Sequence, residues 1–111
     1  MEYRPDCWVV FRVDNPELEK PIYKVFGGWY GGFANGDSWK INSGITKAEE
    51  DENCYYFHGS SGSVYVVHKQ GYKMSSYMMS VWGNFMKQLE DSPTKFEILS
   101  EETKFMELDY L

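Results

Sequence analysis

The chain has 111 residues, 18% of them aromatic, a net charge of −6 and two cysteines. That length gives one domain with one core, and eleven basic residues against seventeen acids exclude the broad basic stripe that tracks long nucleic acid. No run approaches the roughly 18 apolar residues of a membrane span, and no apolar signal segment opens the chain. Cys7 and Cys54 lie in strand-like apolar runs and are expected to be free, buried thiols in a reducing cytoplasm.

In chain order, Cys7 to Val13 is β-rich and mostly apolar, and Asp14-Asn15-Pro16 closes it with turn chemistry. Pro21 opens a second strand over Ile22 to Phe26. Eight of the ten glycines then fall between Gly27 and Gly62, and Gly27 to Gly36 reads as a glycine-rich excursion. Ser38 to Ile45 reads as a third strand that ends near the acidic run Glu49 to Glu52. Cys54 to His58 and Ser63 to Lys69 read as a hairpin closed by Gly59-Ser60-Ser61-Gly62. A four-residue loop pairs His58 with Ser63, and a two-residue turn pairs it with Tyr65. Both registers place His58 and His68 on opposite faces.

Ser75 or Ser76 caps one helix that runs to about Glu90, with Met78, Val81, Trp82, Phe85 and Leu89 at the spacing of a buried face. Pro93 bars its continuation. Lys95 to Leu99 and Phe105 to Tyr110 alternate in strand fashion, with a short C-terminal helix capped by Ser100 as the alternative. The expected fold is α+β: an antiparallel sheet of about five to seven strands with one main helix (residues 75–90) packed on it, in one domain over 1–111.

The charge is segregated. Residues 20–48 carry four lysines against Asp37, and residues 53–89 carry three lysines and no acid. The two ends and the 49–52 run hold the negative charge. A metal site is not expected, because no Cys or His spacing supplies three or four ligands. His58-Gly59-Ser60-Ser61-Gly62 is not a nucleophile elbow: its second glycine comes one residue early, and the strand before it leads to another strand. No phosphate-loop or dinucleotide fingerprint occurs, so an enzyme is not expected.

The residues suit binding better. Turns can cradle phosphate with exposed amides and hydroxyls, and flat aromatic faces can stack a base. Ser38, Ser43 and Gly59, Ser60, Ser61, Gly62 and Ser63 are the candidate phosphate cradle. Lys40 and Lys69 would supply charge, and His58 a hydrogen bond. Trp29, Trp39 and Tyr65 would supply stacking area, with Tyr30 and Phe33 beside them. This predicts a non-enzymatic protein that captures a small anionic, nucleotide-derived ligand without a cofactor. The 59–63 turn and the 27–33 turn would converge on one site, completed in a homo-oligomer. The alternative is an acidic inhibitor that blocks a protein partner through residues 49–52 or 101–102. A virion or assembly component is a third possibility.

The run Gly36-Asp37-Ser38-Trp39-Lys40-Ile41-Asn42-Ser43-Gly44-Ile45, followed by Tyr55 to Tyr65, resembles small accessory proteins of tailed bacteriophages. The resemblance covers residues 22–72. It implies a counter-defence role in the host cytoplasm, by sequestering nucleotide-type immune signals or by plugging a host effector. It assigns no residue roles.

Overall fold

Trp8 and Val10 point to one side of their strand, and Cys7, Val9 and Phe11 to the other. Both sides are buried, which is why the run is apolar without a break. The computed structural model describes residues 1–32 and 36–111. Its strands are β1 (Glu2–Tyr3), β2 (Cys7–Asp14), β3 (Ile22–Trp29), β4 (Ser38–Ile41), β5 (Ile45–Glu50), β6 (Cys54–Gly59), β7 (Val64–His68) and β8 (Lys95–Ile98). They form two four-stranded sheets, ordered β1-β7-β6-β5 and β4-β3-β2-β8. Every strand pair is antiparallel except β1 with β7.

The inner face of the first sheet (Ile45, Phe57, Tyr65, Val67) packs on Trp8, Val10 and Val25 of the second. On the second sheet's far face, Cys7, Val9, Phe11 and Phe26 meet helix α1 (Ser76–Gln88) through Met78, Val81 and Trp82. The fold is α+β with one main helix, in three layers: sheet, sheet, helix. Among the described residues the strands number eight rather than five to seven: β1 is an addition, Phe105 to Tyr110 forms no strand, and the expected third strand breaks at 42–44. There Asn42 Oδ1 accepts from Val25 N at 2.9 Å, and Gly44, at φ +137°, turns the chain into the first sheet.

Ser75 caps α1 as expected: its Oγ accepts from Met78 N at 3.2 Å. Phe85 packs on Phe26 and Trp39, and Trp82 on Phe11 and Phe96. Gly27 and Gly28 are not a loop. They pair within β3 with both β2 and β4, and their missing side chains admit Pro5 and Met78.

The β6–β7 hairpin takes neither expected register. His58 pairs with Val64, because Gly59 N donates to Ser63 O and the loop has three residues, Ser60 to Gly62. Gly62 takes the left-handed position such a loop needs, at φ +94°. One residue of slip reverses the face, so His58 and His68 share the outer face of the first sheet. Four residues separate their positions along the hairpin, about 13 Å at strand rise, too far for one shared ion. The expected strand over Phe105 to Tyr110 is instead a 3₁₀ turn, Phe105–Glu107, followed by an extended tail. Phe105 enters the core, Tyr110 packs against Tyr23, and Leu111 N donates to Ile45 O.

Candidate functional site

The loop at 42–44 and the 59–63 turn do come together. Ser60 Oγ and Ser61 N both donate to Ser43 Oγ at 2.9 Å, and Ser60 N donates to Gly44 O. Gly59 makes the approach possible, since a Cβ there would stand 3.2 Å from Ser43 Oγ. Asn42 lies beneath. It is buried, and its Nδ2, 3.5 Å from that same Cβ position, is a buried donor without a partner among the described residues.

This arrangement does not build the expected amide cradle. The amides of Gly59, Ser60, Ser61 and Gly62 are all donated inward, to Ser63 O, Gly44 O, Ser43 Oγ and Gly59 O. An anion nest needs amides that point outward. Among the described residues the hydroxyls of Ser61 and Ser63 take no part in the network and no cation joins them: Lys40 Nζ sits over the Tyr3 ring at 5.0 Å. The cluster is a clasp between two loops.

The expected stacking residues are dispersed as well. Trp39 packs on Phe26 and Phe85, on the helix side of the second sheet. Trp29 meets Tyr3 on the other side, and Ser38 pairs with Trp29 at the β3–β4 edge. Tyr65 is 1% exposed beneath Tyr3, with its hydroxyl pushed up to about 12 by burial, so its ring has no free face. The 27–32 segment contacts Pro5, Asp6, Met78 and Tyr3 rather than the 59–63 turn. Phe33 lies outside the described residues.

His58 and the acidic run are engaged with each other. His58 Nε2 lies 2.8 Å from Glu49 Oε1, which Lys47 also approaches at 3.3 Å. Lys47 first, and His58 second, hold the Glu49 carboxyl below its ordinary value. Asp51 accepts from Tyr56 Oη, Cys54 N and Asn53 N, and these bonds lower it too.

A groove of about 710 Å³ lies at the opposite end of the hairpin. Asp6, Glu52, Asn53, His68, Lys69, Gln70, Gly71 and Lys73 line it. Three hydrogen bonds fix the 68–73 segment. Trp8 Nε1 donates to His68 O at 2.7 Å, Lys69 N to Asn53 O at 2.9 Å, and Lys73 N to Trp8 O at 3.0 Å. Lys69 Nζ bonds Glu50 at 2.7 Å and stands over the Tyr55 ring at 5.0 Å; the Glu50 bond raises its pKa. Among the described residues Lys73 enters no ion pair. Of the residues expected to bind, this groove holds Lys69 alone. The signal that could have found the rest is the acid-free span 53–89, whose lysines at 69 and 73 flank one short turn.

Among the described residues no three His, Cys, Asp or Glu side chains group as metal ligands, and no helix is long and apolar enough to cross a membrane. Comparison with protein-family models, curated proteins and solved structures finds no match.

Proposed function

We propose that this chain is a non-enzymatic binding protein that captures a small anionic ligand, nucleotide-derived in class, in the groove between Asn53 and Lys73. One observation carries the reading. The groove's volume falls within the roughly 300–1,000 Å³ of small-molecule sites, and His68, Lys69, Gln70, Lys73 and Asn53 bring donors to it. Lys73 is the cation best disposed to meet a phosphate, because it has no carboxylate to leave. Asp6 and Glu52, which also line the groove, suit a ligand that also carries donors, as a nucleobase or sugar does. Sequestration of such a ligand fits the counter-defence role that the phage resemblance implies.

The acidic-inhibitor alternative draws less support, since Glu49, Glu50 and Asp51 are already held by Lys47 and His58, Lys69, and Tyr56. Exposed Glu52, Glu101 and Glu102 would have to carry it.

Native mass spectrometry after incubation with a nucleotide panel reads the ligand mass and the number of copies together. Binding is expected to weaken about tenfold, or ~1.4 kcal/mol, in Lys73→Ala and to survive in Ser61→Ala. An unliganded mass throughout, or loss in Ser61→Ala with Lys73→Ala unaffected, overturns the reading.

A further inference from the structure

Cys54 and His68 face each other across β6 and β7. The ladder makes them a close pair. Lys69 N bonds Asn53 O, one residue outside each partner, so Cys54 and His68 occupy a non-hydrogen-bonded site, where opposite side chains approach most nearly. Cys54 Sγ stands 3.7 Å from His68 Nδ1, within reach of a sulfur hydrogen bond. Asp51 holds the backbone of Cys54 by accepting its amide at 2.8 Å. The exposed His68 lines the groove, and so does Asn53, the neighbour of Cys54. Cys54 is 9% exposed. Cys7, at 1%, points the other way into the helix layer, 3.4 Å from Met78 Sδ.

We infer that Cys54 and His68 form a thiol–imidazole site for covalent exchange with low-molecular-weight disulfides, beside the groove that His68 lines. The thiolate is the nucleophile in such exchange, and a base within hydrogen-bond reach generates it. His68 Nδ1 takes the Sγ proton, and the Cys54 thiolate attacks one sulfur of the disulfide. A new S–S bond to Cys54 forms as the old one breaks. The second sulfur leaves as a thiolate, which receives the proton from the His68 imidazolium. Cys54 is oxidised and the departing thiol reduced, so no further oxidant is consumed. The inference stands independently of which ligand the groove holds.

The probe is glutathione disulfide, added to the folded protein and followed by intact mass and peptide mapping. One glutathionyl group is expected on Cys54 and none on Cys7, with the adduct absent in Cys54→Ser. His68→Ala is expected to slow the reaction about tenfold or more, and added imidazole to restore it. Were exposure alone in control, His68→Ala would uncover the thiol and quicken the reaction. An unmodified Cys54, equal modification of Cys7, or an unchanged or faster His68→Ala overturns the inference. His68→Gln, which keeps much of the side chain's bulk without a base, is expected to slow as His68→Ala does and serves if the alanine variant fails to fold.

Discussion

Gly28 and Met78 occupy one space: a Cβ on Gly28 would stand 2.3 Å from Met78 Sδ. Gly28 lies in β3, and Met78, fully buried, is the first inward residue of α1. The helix therefore sits on this glycine. Gly28→Ala is expected to cost about 1–3 kcal/mol by overpacking, and Met78→Ala about 2–5 kcal/mol by leaving a cavity. The double variant should cost less than the two together, because the added methyl enters the vacated space. Thermal melts of the four proteins check the coupling; strict additivity would show that the contact is not shared.

The clasp at Ser43 gives a second expectation. Ser43→Ala removes the acceptor for Ser61 N and Ser60 Oγ, at about 0.5–1.5 kcal/mol for a bond of this kind at the surface. Amide hydrogen exchange at Ser61 should quicken while the β6–β7 ladder keeps its protection. Equal exchange in the two proteins would remove the clasp from the account.

Acid should loosen the 51–56 corner. Bonds from Tyr56 Oη, Cys54 N and Asn53 N favour the Asp51 carboxylate, so its folded pKa lies below the unfolded one. The stability it contributes is present above the unfolded value of 3.8 and is lost as pH falls through the lower folded value. Urea midpoints across that range should show a shallower acid limb in Asp51→Asn than in the parent.

Base acts on the buried phenols. Burial pushes Tyr65 and Tyr72 up to about 12, and Tyr72 Oη also donates to Leu99 O at 2.7 Å. A neutral phenol held in this way stabilises the fold fully below the unfolded value of 10, and the contribution is lost as pH rises toward 12. Tyrosinate absorbance should therefore rise in two stages, the later one coincident with unfolding. A single smooth titration near 10 would contradict the burial of these rings.

The helix was legible because its signals are local: Ser75 caps it, Pro93 bars it, and Met78, Val81, Trp82 and Phe85 mark one face. The α+β class followed from the strand-like runs around it. The hairpin parity was not legible, because Gly59-Ser60-Ser61-Gly62 suits loops of two, three or four residues, and the closing bond from Gly59 N to Ser63 O selects three. Gly27 and Gly28 read as a turn, since a glycine's usual signal is freedom; here its use is the absence of a side chain under Pro5 and Met78. The tail misled for a related reason. Met106, Leu108 and Tyr110 alternate as one face of a strand would, but the 3₁₀ turn buries Phe105 and exposes Met106, while Leu108 and Tyr110 pack on the core. The groove joins residues from 6 to 73, and no local pattern ties Asp6 to Lys73.

Because Trp8 and Val10 face one core while Cys7, Val9 and Phe11 face the other, β2 is a party wall between two rooms. Neither room stands if the wall goes. The helix loses Cys7, Val9 and Phe11 once β2 detaches, and the first sheet loses the ceiling over Phe57 and Val67. The chain should therefore melt in one step, with tryptophan fluorescence from both sides of the wall (Trp8 and Trp82) and backbone circular dichroism falling together. Damage at Val9 should be felt at Tyr65, and damage at Val10 at Trp82, although neither pair shares a core.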